Sequence, residues 1–573
     1  MARQGLAVRP RSVPVATAWL SNRVAGTFRH RALASTEALL SCRMSGISIF
    51  NDVIGPVMRG PSSSHCAAAL RIGRLARDLM DGDVTDVLVE FDREGSLPAT
   101  HDSQGSDMGL FGGLLGWEAD DERLPDSARA LADAGVALRI ETVDVGDPHP
   151  NTYRLTLRND REQRTLIAVS TGGGMMEVID LDGVPLRLDG GYAETLVWLH
   201  ATQRASAERL VEQLVAGAFD ADHVLVHDTV DGLLVQIQAP AFVPDDAFAD
   251  LQPKLVKRLG RVLPVPSRRG VRLPFTGSEE LLRVDGERHT PLWRLAVEYE
   301  AARSGFGEDE IVAKMVEIVR ILRRSIEQGI EGTYYEDRVL GHQSGRFREA
   351  MEAGRLLDGG ALNRIVLYVT ALMEVKSSMG VIVAAPTAGA CAGLPGAVIA
   401  MAEAMELSEE DMARAMLAAG LVGVVFTTRW TFAAEVGGCQ AEGGAAACMA
   451  AAALVTLAGG TRDEALAAAS MALQSMLGLI CDPIANRVEA PCLGKNVMAA
   501  SNALACANTA LAGFDPLIPL DEVVDAARDV AKRMPREHRC TSLGGLAATP
   551  TSLRIEQRLA GAKGGGCVGC GCG

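Results

Sequence analysis

Large rings are scarce: aromatic residues make up 4% of the 573 positions, whereas alanine abounds and there are 60 glycines. An interior built from such residues is filled by closely approaching backbones rather than by aromatic stacks. Cysteine is sparse too. Twelve thiols in a chain of this length fall far below the density of a disulfide-stapled scaffold, so they invite a metal or redox reading instead. Positive charge is in deficit, with 56 Lys+Arg against 72 Asp+Glu and a net charge of −16. No long basic run interleaves with aromatics, which argues against nucleic acid as a partner. Clean apolar runs are also missing. The stretch 377–402 contains Pro386, Pro395 and several glycines, and 443–461 is mostly Ala and Gly, so both are expected inside the protein rather than across a membrane.

What is present reads as globular: 48% apolar and 22% charged residues, on a chain long enough for several domains. Residues 1–43 differ from the rest, with seven arginines and one acid, Glu37. This segment has the composition of an organelle transit peptide, or it precedes a true start at Met44. The expected location is accordingly cytoplasmic, or mitochondrial if the segment is a transit peptide in a eukaryote.

The remainder predicts a multidomain α+β protein. From 46 to 190, short β-rich runs such as "VTDVLVEFD" alternate with helical patterns such as "CAAALRIGRLARDLM", giving an α+β domain. Residues 194–285 read strand, helix, two strands, helix, the last helix over "DAFADLQPKLVKRL", which fits a small ferredoxin-like module of the ACT kind. From 287 to 555 the pattern is all-helical, with capping signals at Ser408 ("SEED") and Thr461 ("TRDE"). Residues 556–573, ending "AKGGGCVGCGCG", are expected to form a flexible Gly/Cys-rich tail.

Three cysteines stand apart from those within helical stripes such as Cys448 and Cys506. Cys439 ("VGGCQAEGG"), Cys481 ("LGLICDPIANR") and Cys492 ("EAPCLGKN") sit among glycines, prolines and polar residues, where thiolates can converge and backbone N–H groups can reach sulfur. Their spacing matches no zinc knuckle, so unrelated structural cysteines remain an alternative. In "GPSSSH", Ser62, Ser63, Ser64 and His65 run into an apolar helix, gathering hydroxyls and an imidazole near a helix N-terminus that suits a carboxylate. His65 is the leading acid/base candidate because imidazole titrates near neutrality, with His101 and His342 as competitors. "STGGGMMEV" at 170–178 lacks a Walker lysine and is expected to be a turn between strands. Lys376 could suggest a Schiff base, but no phosphate-cradling loop accompanies it, and it reads as a solvated or ion-paired lysine. Cys391 is expected to be a packed thiol.

"GPSSSH" at 60–65, "PTAGACAGLPG" at 386–396, "GCQAE" at 438–442 and "CDP" followed by "PC" over 481–492 together resemble the iron-sulfur-dependent L-serine dehydratases. The resemblance implies that Cys439, Cys481 and Cys492 hold a 4Fe-4S cluster, with no pyridoxal phosphate. It also implies an amino-acid substrate and a lyase that converts serine to pyruvate and ammonium, expected as a homodimer. Threonine or cysteine as substrate, or a non-catalytic amino-acid sensor or assembly protein on the same scaffold, are the alternatives. "RCTSLGGLA" at 539–547 resembles the family's closing segment, after which the chain continues to Cys567, Cys570 and Cys572. In some members a cysteine near the C-terminus occupies the open iron; here the downstream thiols are expected to lie in a mobile tail.

Overall fold

The computed structural model describes residues 46–562 apart from positions 61, 64, 103, 216, 218, 336, 337 and 488. The Arg-rich segment, Ser64 and the tail cysteines lie outside the described residues.

The chain opens with a helical turn over Ile49–Val53 and a short strand β1 (Val57–Arg59), followed by helix α1 (Cys66–Leu79). Next come β2 (Asp86–Asp92), α2 (Ser106–Leu114), α3 (Ser127–Asp133) and β3 (Ala137–Val143), then β4 (Thr152–Arg158), β5 (Gln163–Gly172), β6 (Met175–Leu181) and β7 (Val184–Leu188). Strands β2 to β7 form one sheet in the order β3-β2-β4-β5-β6-β7, antiparallel except for the parallel β2/β3 pair. Alternation drives it: Val87, Val89 and Phe91 of β2 are buried with Leu155 and Leu157 of β4 against α1 and α2. Those two helices touch backbone to backbone, since a Cβ on Gly113 would stand 2.2 Å from the carbonyl oxygen of Leu70. The glycines at 172–174 make the turn between β5 and β6, as the sequence suggests.

A second sheet contains β8 (Ala193–Leu199), β9 (His223–Thr229), β10 (Gly232–Ala239) and β11 (Leu255–Leu259), with α4 (Arg204–Val215) between the first two. Its all-antiparallel order β11-β8-β10-β9 is that of a ferredoxin-like module. The expected final helix is absent. Asp245–Leu251 makes 3₁₀ turns, and Leu255–Leu259 is a strand paired with β8. Pro253 interrupts the helical run, and the strand directs Lys257 inward, where its buried ammonium bonds Glu162 at 2.5 Å and Asp81 at 2.7 Å.

The rest is helical: α5 (Ser278–Asp285), α6 (Leu292–Ser304), α7 (Glu308–Glu331), α8 (Gln343–Glu352) and α9 (Ala361–Ser377) precede a short strand β12 (Val381–Val383). Helices α10 (Gly393–Ala404), α11 (Glu409–Arg429), α12 (Ala445–Leu457), α13 (Arg462–Gln474), α14 (Cys492–Leu511), α15 (Leu520–Arg533) and α16 (Pro550–Ala562) follow. Ser408 and Thr461 cap α11 and α13, each hydroxyl accepting the backbone N–H three residues on, at 3.2 Å. By length and composition two helical runs, Glu409–Arg429 and Gln440–Leu457, could cross a membrane; 78% and 89% of their apolar windows are buried inside the protein.

Three boundaries differ from expectation. Residues 49–54 belong to the helical core, where Ile49 and Val53 fill the hollows left by Gly420 and Gly423 on α11. Helix α5 lies before residue 287, yet it is capped from the helical region: Asp521 on α15 accepts Ser278 Oγ at 2.8 Å and Ser278 N at 3.1 Å. Helix α16 continues through 556–562, residues expected to start the tail, and is anchored by buried Ser552 and Leu559.

Candidate functional site

The strand pair β1/β12 joins the first domain to the helical core. Val57 faces Val383 and Arg59 faces Val381, and Arg59 Nη1 also donates to the carbonyl of Met379 at 3.3 Å. The "GPSSSH" motif leaves one strand of this pair, and the "PTAGACAGLPG" loop leaves the other.

His65 stands at the N-cap of α1 but makes no capping bond with its side chain. It is 1% exposed, and burial pushes its pKa down to about 4, so the ring is neutral at neutral pH. The expectation of a group titrating near neutrality is therefore corrected. The hydrogen bonds assign its tautomer. Thr100 gives its hydroxyl proton to Ser96 O at 2.8 Å, so its oxygen accepts Nε2–H of His65 at 3.0 Å. Nδ1 then carries the lone pair and accepts the Ser62 hydroxyl at 2.8 Å. Ser62 is thus paired with the imidazole. Ser63 is buried beside it.

Next to Thr100, His101 has the opposite tuning. Its Nδ1 lies 2.8 Å from both Asp107 oxygens, and this carboxylate raises the imidazole pKa. His342 sits apart from these groups in the fold's connections. It occupies the N-cap position of α8 without a side-chain capping bond, bonds the Gly329 carbonyl through Nε2 at 3.2 Å and stands 3.6 Å from Glu374. Glu374 also accepts Gln343 N at 2.6 Å and Arg338 Nη2 at 3.1 Å, so this corner organises the loop before α8.

The three singled-out cysteines come together. Cys439, Cys481 and Cys492 are all buried, at 4%, 3% and 7% exposure. Cys439 follows Gly438, whose φ is +67°; a Cβ at that position would stand 2.9 Å from Leu479 O, so only glycine fits. Cys481 is fixed by its N–H bond to His538 O at 2.9 Å, and Cys492 begins α14. Cys439 donates to Cys481, which raises the Cys439 thiol pKa and lowers that of Cys481 to about 4. Cys492 lies close enough to raise the Cys439 thiol further by its charge. Lys495, one turn along α14, supplies the counter-charge: Nζ is 3.7 Å from Cys439 Sγ, 2.6 Å from Ile480 O and 2.5 Å from Asp482 Oδ1.

Other residues at this centre carried weak sequence signals. Cys540, in the segment resembling the family's close, is a fourth thiol; it donates to Cys481 and packs against Cys439 and Cys481. Lys376 is fully buried rather than solvated; burial raises the pKa of Cys391, Cys492 and Glu442, and the nearby Lys376 charge offsets part of that rise in each. Glu442 accepts the Thr387 hydroxyl at 2.8 Å, and desolvation with the nearby charges of Cys481 and Glu435 pushes its carboxyl up to about 8. Asn496 locks two motifs together: Oδ1 accepts Ala392 N and Gly393 N, while Nδ2 donates to Gly389 O and Cys492 O, both at 2.9 Å. Cys391 is fully buried.

Among the described residues no three His, Cys, Asp or Glu side chains close around a single metal ion. A multinuclear cluster asks for something else, several thiolates spread around a core wider than one ion. Three converging buried thiols, a thiolate already favoured at Cys481 and a neighbouring ammonium fit that demand.

The family described as serine dehydratase alpha chain matches residues 287–547. The probable L-serine dehydratase alpha chain of Bacillus subtilis is 35% identical over 287 residues, which is 50% of this chain and 96% of that protein. The L-serine dehydratase of Streptomyces coelicolor is 29% identical over 498 residues, 85% of this chain and 96% of that one. The probable beta chain of Bacillus subtilis is 39% identical over 150 residues, 26% of this chain and 67% of that protein. The helical region with its thiol centre, followed from one relative to the next, places the chain in the serine dehydratase family.

Proposed function

We propose that this protein is an L-serine dehydratase, removing the β-hydroxyl and α-proton of L-serine to yield pyruvate and ammonium. The observation that carries the reading is the convergence of Cys439, Cys481 and Cys492 beside Lys495. These three thiolates would hold a 4Fe-4S cluster. When bound, it supplies an iron with an open position, a Lewis acid for the substrate hydroxyl, which is a poor leaving group by itself.

The chain's own side chains handle protons and orientation. Ser62 Oγ takes the α-proton as its own proton passes to His65 Nδ1, a transfer the assigned tautomer permits. Burial keeps His65 neutral beforehand, which leaves the Nδ1 lone pair in place but makes the ring a weak base, so the proton is held there only in passing. The His101 imidazolium, sustained by Asp107, is suited to protonate the departing oxygen. Lys376 provides a buried positive charge for the substrate carboxylate, with Thr387 and Glu442 beside it. Elimination leaves aminoacrylate, which tautomerises and hydrolyses in water.

Anaerobic iron and sulfide analysis combined with a serine-to-pyruvate assay tests the proposal. About four irons and four sulfides per chain are expected, with turnover that disappears when they are removed. Full turnover by metal-free protein would overturn it.

A further inference from the structure

Beside α1 lies a cavity of about 380 Å³, lined by three arginines. We propose that it is a binding site for a small monocarboxylate with an apolar body, distinct from the thiol centre.

The argument begins with Arg71. It is 5% exposed, and Nη1 donates to the Gly174 carbonyl at 2.5 Å. Beyond a contact of Nη1 with Met175 Sδ, its remaining donors take no protein acceptor within hydrogen-bond or salt-bridge distance among the described residues, while the buried Asp52 carboxylate is near enough to support its charge. A buried guanidinium with spare donors lining a cavity calls for an oxygen ligand, and its planar fork matches a carboxylate. Burial lowers the Arg71 pKa to about 10, which still leaves the cation in place at neutral pH.

The rest of the lining sets the ligand's shape. Arg74 is already paired with Glu118 at 2.5 Å. Arg71 and Arg261 then stand with Asp120 in the wall, and Asp52 and Glu310 also act on these two arginines, so the planar fork of Arg71 rather than a surplus of positive charge selects the carboxylate. Pro56, Val57, Leu70, Val262 and Leu263 complete the wall with apolar surface, more than a bare inorganic anion needs.

The walls are held in place. Gly260 N bonds Asp78 at the far end of α1 at 2.8 Å, and Val262 N and Leu263 N both bond the Gly190 carbonyl. A ligand bridging Arg71 and Arg261 would therefore join the segment leaving the four-stranded module to the helix that begins with His65.

Calorimetric titration of the purified holoenzyme with 4-methyl-2-oxopentanoate tests this, with inorganic phosphate at matched ionic strength as the anion lacking an apolar body. Saturable binding of the oxo acid is expected, weakened at least tenfold in Arg71→Met and severalfold in Arg261→Ala. Because Arg261 is exposed, its variant keeps the test decisive should Arg71→Met fail to fold. No saturable binding, binding unchanged in Arg261→Ala, or phosphate binding as tightly as the oxo acid would overturn the proposal.

Discussion

The helical region and the four-stranded module both bury polar groups, yet they do so to different ends. In the helical region, thiols, Lys376 and Lys495 approach from separate loops and helix ends, with Gly438 letting the Cys439 turn come close to Leu479. In the module, Glu194, Gln236 and Gln238 lie side by side on adjacent strands and satisfy one another, with no nucleophile or metal-ligating set beside them. Convergence from distant segments makes a reactive centre, whereas a local cross-strand cluster makes a satisfied core. The difference can be broken experimentally.

The largest effect is expected at the cysteines. Cys439→Ala, Cys481→Ala and Cys492→Ala should each abolish serine turnover and cluster absorbance. Cys448→Ala, in a fully buried helical stripe of α12, should keep both and cost about 1 kcal/mol in stability. Equal loss in all four would mean that packing, not ligation, explains the first three.

Next comes the hydrogen-bonded relay of the first domain. Ser62→Ala should lower kcat roughly 100-fold while the cluster spectrum stays unchanged, because Ser62 belongs to the proton path and not to the thiol centre. Near-normal kcat would make the Ser62–His65 pair structural.

Legibility followed the same division. Cys439, Cys481 and Cys492 could be picked out because glycines, prolines and polar neighbours break the helical pattern around them. Cys540 could not, since a single thiol in a polar turn carries no periodic signal and its role depends on a backbone bridge between Cys481 and Arg539. Lys376 was legible only in part: one cation at the end of an apolar helix reads as solvated or ion-paired, and its full burial removes the first of these. The multidomain α+β plan was visible from strand and helix periodicity, but β11 was hidden by leucine, lysine and arginine, which favour helices. The insertion of Ile49 and Val53 into distant helices was equally hidden, because it is a tertiary fit of methyl groups into glycine hollows.

A subtler change separates the two histidines. The Asp107 carboxylate raises the His101 pKa, so the imidazolium persists to higher pH than in a free histidine. Activity that needs this cation falls as pH rises through the raised pKa. Asp107→Asn removes the cause, and the alkaline limb of the kcat profile should move to lower pH, with only a severalfold loss below it. A limb that does not move would assign the acid to another group.

The smallest expected effect lies in the module and asks whether its polar cluster is merely satisfied. Glu194 is 1% exposed, and burial pushes its carboxyl up to about 8 from an ordinary value of 4.5. The neutral acid is therefore the form the fold prefers. Its stabilisation is fully present below the unfolded pKa and is lost as pH rises through the folded one, because the unfolded chain ionises first. Glu194→Gln keeps the volume and one acceptor for the Gln236 and Gln238 amides, which donate at 3.3 and 2.8 Å, but it cannot ionise. At pH 4 the variant should melt close to the wild type. At pH 8.5 it should melt higher by about 3 °C, a gap that opens across the interval between the two pKa values. A constant gap between variant and wild type at both pH values would show that Glu194 does not titrate there, and would make the module's cluster as electrostatically demanding as the thiol centre.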